Sequence, residues 1–436
     1  MDWIQMYREK LCTADEAIRL VKPGDWVLPA HAAGEPKRLM DALYAHREEL
    51  QDVVVWVGKT LGDAVWTELE PSPAIHMRTH FLAPGTRVGY RRGSVDYLPL
   101  PFSSGPKALR EGYVKCDVFF AQISEPDENG YCSFGISVDM SRACMDAART
   151  KIALVNKRMP RTHGDTLVHV SEFDCLVEAD DPIYTIDSVN AEDEVTQRIG
   201  KHIAGLIRDG DTIQMGIGSI PNAILDCIDD RRDLGVHTEM FTDNLIPLIE
   251  KGVITGANKT LDRGKIVSTF VMGSEQLYRF VDNNELIQLM PVDYTNNIGV
   301  IGSQDNMVAV NAALEVDLMG QVVADSLGNQ QFSGVGGQLD FVRGAMLSKN
   351  GRSIIALPST AKHGTISRIC ACLKPGTGVT TPRNDVQYVV TEYGAVDLYC
   401  KTLRERAKLL LSVAAPEFQE QLERDFWEVM RIAPDR

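Results

Sequence analysis

A single glutamate is the first candidate for chemistry in this sequence. Glu239 follows a short apolar stretch in the segment Leu-Gly-Val-His-Thr-Glu-Met-Phe-Thr-Asp, residues 234–243. A carboxylate in such a segment is either a placed catalytic acid or a solvated loop residue, and composition alone favours the loop residue. His237 beside it could serve as a general base, although a lone histidine is more often structural.

Two glycine-rich turns could bind an anion or an oxyanion. Thr212–Asn222 reads as a strand, then Gly216-x-Gly218, then Pro221 opening a helix. Pro221 stands where a dinucleotide-binding motif needs its third glycine. The second cluster, Ser333–Phe341, places small residues before an expected helix and could form a nest of backbone N–H donors. A purely structural role is the alternative for each turn, and it is favoured for the first but not for the second.

Other common chemistries find no support. The sequence contains no GxSxG, no HExxH and no phosphate-binding GxxxxGK[ST] motif. His76 and His80 form one HxxxH pair, but Met77 stands where a zincin needs glutamate. The nine cysteines are scattered and form no CxxC pair. We therefore expect reduced thiols, no disulfide framework and no metal site.

The elements that must position these residues alternate between short β-branched runs and stretches of helical period. Apolar residues of 195–207 recur on one helical face. The runs typical of buried strands are 53–57, 117–122, 152–156, 266–271, 353–357 and 388–391. This alternation predicts an α/β fold with mostly parallel sheets.

An internal repeat indicates two similar domains. Residues 17–43 and 203–228 align without gaps and bring Gly24 onto Gly210, and Asp25 onto Asp211. Both copies read as a helix, a glycine turn, a short strand and a proline that opens another helix, Pro36 or Pro221. Two explanations of the match are open: a duplication, or chance similarity between two βα units. The polar, acidic segment near 180–193 is the expected linker.

Composition further limits which classes of function are possible. The chain has 436 residues, 60 acidic and 45 basic, for a net charge of -15. This balance argues against general nucleic-acid binding. No apolar run reaches the length of a membrane span, and the N-terminus lacks the apolar segment of a secretory signal. We expect a cytoplasmic protein with neither a membrane nor a nucleic-acid partner.

Seven segments together resemble the class I CoA-transferases, in the acetyl-CoA hydrolase/transferase branch that includes 4-hydroxybutyrate and butyryl-CoA:acetate CoA-transferases. They are GIGSIPNAIL, VHTEMFTD, PVDYTNN, EVDLMGQV, FSGVGGQLDFVRGA, TTPRNDVQYVVTEYG and AAPEFQEQL. The resemblance implies two open α/β domains of similar topology, with the active site in the cleft between them. We place these domains at 1–185 and 193–436.

The resemblance also assigns residues. It implies that Glu239 is the catalytic glutamate, which carries CoA as a thioester between two half-reactions. Backbone donors near Ser219 and Gly334 would stabilise the oxyanion. The residues expected to contact CoA are Gly216, Ile217, Gly218, Ser219, Ile220, Asn311, Gly334 and Lys362. No tightly bound cofactor and no metal are expected, because acyl-CoA is itself a substrate.

The acid substrate is open at this stage. His31 and Glu35 lie in the glycine turn of the N-terminal copy and are candidates for facing the acid, or else surface turn residues. Acetate, butyrate, 4-hydroxybutyrate, succinate and itaconate all fit. An acyl-CoA hydrolase on the same fold and a non-catalytic CoA-binding protein are the competing hypotheses. The resemblance also predicts a homodimer or higher homo-oligomer.

Overall fold

The computed structural model describes residues 2–62, 74–186 and 193–431. They divide into two compact units that interleave along the chain. The first comprises the described residues up to 186, with Met240–Asp243 and Val267–Thr295. The second comprises the described residues from 193 to Glu239, with Asn244–Ile266 and all described residues from Asn296 onward.

The N-terminal elements build the sheet of the first unit. The helices are α1 Trp3–Lys10, α2 Ala14–Ile18, α3 Lys37–Ala45, α4 Pro84–Arg92, α5 Gly105–Arg110 and α6 Ser141–Ala147. The strands are β1 Trp26–Pro29, β2 Val53–Val57, β3 Ile75–Thr79, β4 Val95–Tyr97, β5 Val118–Ile123, β6 Tyr131–Ser133, β7 Thr150–Asn156, β8 His163–Gly164, β9 Leu167–His169 and β10 Cys175–Ala179.

In the described residues, a seven-stranded parallel sheet runs in the order β10-β7-β5-β1-β2-β3-β4. Its central strands β2 and β5 are buried along their whole length. Strands covered on both faces read as continuous apolar runs. For that reason the runs 53–57, 117–122 and 152–156 were visible in the sequence, and all three predictions are confirmed.

The later elements build the second sheet and several small ones. The helices are α7 Glu194–Ala204, α8 Ser219–Leu225, α9 Ile246–Glu250, α10 Glu275–Val281, α11 Val292–Thr295, α12 Ile298–Gly302, α13 Gln338–Leu347, α14 Leu403–Ser412 and α15 Pro416–Met430. The strands are β11 Thr212–Met215, β12 Gly235–Val236, β13 Met240–Phe241, β14 Ile266–Ser268, β15 Phe270–Val271, β16 Ile287–Leu289, β17 Met307–Ala312, β18 Glu315–Asp317, β19 Val322–Val323, β20 Ser326–Leu327, β21 Gln330–Gln331, β22 Arg352–Ala356, β23 Thr360–Ala361, β24 Ile366–Ser367, β25 Ile369–Cys370, β26 Tyr388–Thr391 and β27 Gly394–Asp397.

Five strands in the sheet of the second unit follow the order of five strands in the first, β26-β22-β17-β11-β12 against β10-β7-β5-β1-β2. Across the described residues the second sheet runs β12-β11-β17-β22-β26-β27 and is parallel except for β27. β11 lies between β12 and β17, as β1 lies between β2 and β5. The predicted α/β fold with mostly parallel sheets is therefore confirmed.

The sequence repeat has a matching local geometry in each unit. Gly24 and Gly210 have φ of 79° and 78°, a left-handed conformation that glycine adopts at no steric cost. The aspartate that follows each glycine accepts a backbone N–H three residues upstream and pairs with an arginine, Arg149 for Asp25 and Arg352 for Asp211. Because both copies of the repeat have this turn, duplication explains the repeat better than chance similarity does.

The start of one helix and the bounds of the two units differ from those expected. Pro221 lies in the first turn of α8, but Pro36 precedes α3 as its N-terminal cap. Two later segments belong to the first unit. β13 pairs with β15, the N–H of Val271 on β15 donates to the carbonyl of Ile136, and β16 pairs with β8. The division into 1–185 and 193–436 stays a prediction, and 187–192 of the expected linker lie outside the described residues.

The cysteines require one correction. Cys12 and Cys175 form a disulfide, so the expectation of reduced thiols throughout is wrong for this pair. They meet because Leu11 forms a bridge with Leu176 of β10. The two cysteines are 163 residues apart, so no local pattern reveals their contact. None of the helices in the described residues is long and apolar enough to cross a membrane.

Candidate functional site

The glycine turn of the second unit follows a fully buried strand. β11 ends at Met215, and Gly216 and Ile217 come to the surface before α8 begins at Ser219. Gly218 has φ 122° and ψ −178°, a conformation essentially restricted to glycine. A Cβ on Gly216 or on Gly218 would meet no atom within 4 Å. The turn thus borders open space, where a ligand has room to approach the backbone.

Glu239 is held beside this turn through its neighbours. β12 pairs in parallel with β11, and the N–H of His237 then donates to the carbonyl of Ile213 at 3.2 Å. The hydroxyl of Thr238 donates to the carbonyl of Met215 at 3.1 Å, one residue before the glycine turn. Backbone pairing and one buried hydroxyl therefore fix where Glu239 leaves the sheet.

The carboxylate of Glu239 has a specific partner. Nδ2 of Asn296 donates to Oε2 of Glu239 at 2.6 Å, short for a hydrogen bond of this kind. Asn296 is fully buried, and its Oδ1 has no hydrogen-bond partner among the described residues. A buried amide that donates to a partly exposed carboxylate orients that carboxylate at a constant angle.

Because Gly337 has no side chain, it leaves room for the side chains of Glu239 and Asn296. It is the N-terminal cap of α13, and a Cβ at this position would overlap both the Glu239 carboxylate and the Asn296 amide. No other residue type fits here without displacing them. The second glycine cluster therefore meets the catalytic candidate at Gly337, three residues after the predicted Gly334.

His237 packs in the interior of the second unit. Its side chain is fully buried, and its ring lies 6.3 Å from that of Phe341 on α13, centroid to centroid. Packing of this kind fixes the segment that carries Glu239. The arrangement favours the structural alternative over the general base.

The structure places the other expected CoA contacts at three separate locations. Asn311 lies on β17, where its Nδ2 donates to Oε1 of Gln214 on β11 at 3.3 Å. Gly334 is buried in the loop before α13. Lys362 is exposed on the turn between β23 and β24, with φ 47°. In the described part of the chain, no hydrogen bond or ion pair joins its side chain to Glu239 or to the glycine turn.

His31 and Glu35 lie in the first unit and are both buried, so the surface-turn alternative is wrong. Burial raises the pKa of Glu35 to about 7, although a hydrogen bond with Thr60 acts in the opposite direction. His31 is surrounded by aromatic rings, at 5.1 Å from Phe102 and 4.9 Å from Phe270. The repeat aligns His31 with Ile217, in the corresponding turn of the second unit.

Sequence reasoning missed Asn296 and Gly337. Both lie in segments that carried the resemblance, PVDYTNN and FSGVGGQLDF. The paired glycines before α13 gave a signal for Gly337, but nothing local connects Asn296 with a residue 57 positions earlier. Within 2–62, 74–186 and 193–431, no group of three or more histidine, cysteine, aspartate or glutamate side chains could hold a metal ion.

Comparisons with known proteins cover nearly the whole chain. Residues 1–199 match the acetyl-CoA hydrolase/transferase N-terminal domain, and 273–426 match the acetyl-CoA hydrolase/transferase C-terminal domain. The 4-hydroxybutyrate coenzyme A transferase of Clostridium kluyveri is 44% identical over 98% of this chain and 99% of its own. The butyryl-CoA:acetate CoA-transferase of Anaerostipes caccae is 37% identical over 98% of this chain and 97% of its own length.

A solved structure agrees with this relationship. The 4-hydroxybutyrate CoA-transferase of Porphyromonas gingivalis superimposes with a TM-score of 0.82 at 42% identity, covering 98% of this chain and 99% of that one.

Proposed function

The chain belongs to the acetyl-CoA hydrolase/transferase family and is a CoA-transferase, and from this premise we propose a ping-pong reaction through Glu239. The enzyme moves CoA between an acyl-CoA thioester and a short carboxylic acid. The observation that carries the proposal is the hydrogen bond from Asn296 to the carboxylate of Glu239.

The first half-reaction loads CoA onto the enzyme. The Glu239 carboxylate attacks the thioester carbonyl, the C–S bond breaks, and CoA leaves as a thiolate while a mixed anhydride forms. The thiolate then attacks the glutamyl carbonyl of the anhydride. This step releases the donor acid as a carboxylate and leaves a glutamyl-CoA thioester. The acceptor acid reverses both steps, so one thioester replaces another with little net change in free energy.

The geometry around Glu239 suits a nucleophile that must attack in a fixed direction. A carboxylate is a weak nucleophile, and its reactivity depends on alignment with the thioester carbon. Asn296 restricts the rotation of the carboxylate, and Thr238 and His237 fix the backbone that carries it. Because Asn296 is fully buried, its amide keeps this orientation without competition from solvent.

The tetrahedral states need donors for an oxyanion, and we assign these to backbone N–H groups near Ser219 and Gly334. Each such donor contributes about 3–4 kcal/mol in comparable sites. The open space at Gly216 and Gly218 supports an approach of CoA to the turn Gly216–Ile220. Asn311 and Lys362 are the further CoA contacts in this proposal. CoA is a substrate, and no tightly bound cofactor takes part.

The proposed acids are 4-hydroxybutyrate, butyrate or a related short acid, with acetyl-CoA as the partner thioester. The names of the relatives from C. kluyveri and A. caccae support this range. His31 and Glu35 are the proposed contributions of the N-terminal half to the acid pocket. We also propose a homo-oligomer, at least a dimer, in the cytoplasm, and a monomer mass in light scattering across micromolar concentrations would contradict it.

A panel of acyl-CoA donors against carboxylate acceptors tests the function, with products identified by mass spectrometry. A transferase consumes acetyl-CoA or butyryl-CoA rapidly only when an acceptor acid is present and forms the acceptor's thioester. A hydrolase consumes the thioester equally fast without an acceptor. A CoA-binding protein without activity consumes it in neither case.

A further inference from the structure

Lys259 is a buried cation between α9 and β14, and no step of the proposed reaction uses it. Its exposed fraction is 3%, and among the residues that the structure describes none forms an ion pair with it. Its Nζ instead donates to two backbone carbonyls, that of Val236 on β12 at 3.1 Å and that of Lys265 at 2.9 Å. The ammonium therefore links a loop to the strand that leads to Glu239.

The side chain of Lys259 is mostly charged at neutral pH. Burial lowers its pKa to about 8, although the charge of Asp262 acts in the opposite direction. Burying a charge that has no ion-pair partner is costly for stability. Its bonds to the two carbonyls are charge-assisted, however, and such bonds are about twice as strong as those between neutral groups. A strong anchor gained at a cost in stability favours a role in function.

The carbonyl that Lys259 binds lies at the open side of the sheet. β12 is the edge strand of the described sheet, next to β11 alone. The N–H groups on either side of Val236, those of Gly235 and His237, donate toward β11. Because backbone groups of successive residues in a strand point to opposite sides, those of Val236 face the outer edge. The ammonium thus satisfies a carbonyl that an edge strand leaves without a neighbouring strand.

The position of Lys259 is fixed from two directions. A Cβ on Gly235 would come within 2.5 Å of Cγ of Lys259, so the glycine in β12 leaves room for the lysine stem. The next two residues of the loop are held by Gln304, which is fully buried. Its Oε1 accepts the N–H groups of Thr260 and Leu261, each at 3.1 Å.

The anchors of Glu239 and of the Lys259 loop come from the two ends of one helix. Asn296, whose amide donates to the Glu239 carboxylate, lies two residues before α12, and Gln304 lies two residues after it. All of these residues belong to the second unit. We propose that Lys259 is a positioning residue, whose ammonium holds β12 and thereby aims the Glu239 carboxylate at the thioester carbon. This inference rests on the proposed function.

Lys259→Met tests the proposal in the full-length enzyme. Methionine fills a similar volume but donates no hydrogen bond, so kcat should fall about tenfold or more through misplacement of Glu239, while KM for acyl-CoA stays within about twofold. Lys251→Met is the matched control, because Lys251 is exposed in the same segment and pairs with Asp229 at the surface. Its kcat should be unchanged. Wild-type kcat in a folded Lys259→Met variant would overturn the inference.

Lys259→Gln provides a second variant in case methionine prevents folding. Glutamine keeps N–H donors, but its side chain is shorter and uncharged, so both bonds lose their charge assistance. We expect a kcat below that of the wild type and above that of Lys259→Met. Wild-type kcat in this variant would overturn the inference as well.

Labelling of the active site separates positioning from folding. Acyl-CoA without an acceptor should form one thioester at Glu239 in each competent site, detected on the peptide by mass spectrometry. Lys259→Met should reach the same final extent of labelling as the wild type, but about tenfold or more slowly. A lower final extent at the wild-type rate per site would mean a role in folding only and would overturn the inference. Absence of the thioester in the wild type would instead contradict the proposed function.

Discussion

Asn296 and Glu239 are 57 positions apart in the sequence and form a hydrogen bond of 2.6 Å between a buried amide and a carboxylate. Gly337 lies against both side chains. These three residues come from a loop after β12, a loop after α11 and the start of α13. Three separate segments of the chain therefore determine the orientation of the carboxylate.

Gly337→Ala tests how tightly this arrangement is packed. The added Cβ overlaps the Glu239 carboxylate and the Asn296 amide, so one of them must move. A misplacement of about 1 Å costs on the order of 10²-fold in rate, and we expect at least that loss in kcat. Gly205→Ala is the control, because its Cβ meets only ordinary contacts, the nearest at 3.4 Å. Equal kcat for both variants would show that Gly337 does not constrain the proposed nucleophile.

Asn296→Asp should change the pH dependence of the reaction as well as its rate. Two neighbouring carboxylates cannot both ionise easily, so the pKa of Glu239 should rise in this variant. In the variant, the carboxylate form of the proposed nucleophile should therefore be reached only at a higher pH than in the wild type. We expect the acidic limb of the kcat profile to move upward by about one pH unit or more. A profile that coincides with the wild type would contradict the assigned contact.

Gly334→Val tests the proposed oxyanion donor. Gly334 is buried in the loop before α13, and a β-branched side chain there would block the thioester and tilt the backbone N–H. Loss of one such donor typically lowers kcat by about 10²–10³-fold. Steady-state kinetics and a thermal melt of the same sample check this result. Near wild-type kcat in a folded variant would leave Gly334 as a packing residue.

Glu35 should make stability depend on pH. Its pKa rises through burial to about 7 in the folded protein, from an ordinary value of 4.5. The folded state therefore holds a proton that the unfolded state releases, so the stability contributed by this proton is complete below pH 4.5 and is lost as the pH rises toward 7. The size is about 3 kcal/mol, at 1.36 kcal/mol per pKa unit.

Glu35→Gln removes this proton linkage. Relative to the wild type, its midpoint of thermal unfolding should rise between pH 5 and pH 8. Glu48→Gln, on an exposed residue, serves as the control. A constant difference between Glu35→Gln and the wild type across this range would rule out the buried, protonated carboxyl.

The sequence was informative wherever the signal was local. Buried strands such as 53–57 are contiguous apolar runs, and the repeat carries its own turn geometry at Gly24 and Gly210. The contact of Asn296 with Glu239 depends instead on how distant loops fold onto one sheet edge, and no periodicity encodes it. The same holds for Cys12 with Cys175, and for the burial of His31 and Glu35, whose polar types are typical of the surface.

The most direct test is to trap CoA on Glu239. Acyl-CoA without an acceptor should leave a thioester on this side chain, so borohydride or hydroxylamine should inactivate the enzyme only after exposure to acyl-CoA. The modified peptide should contain His237, Thr238 and Glu239.

Glu239→Gln should abolish exchange, because an amide cannot form the anhydride, and Glu239→Asp should retain about a hundredth of the rate or less. The mass of the Gln variant must be checked, since deamidation restores glutamate. If Glu239→Gln exchanges acyl groups at the wild-type rate, and acyl-CoA leaves no modification at Glu239 in the wild type, the catalytic assignment is wrong.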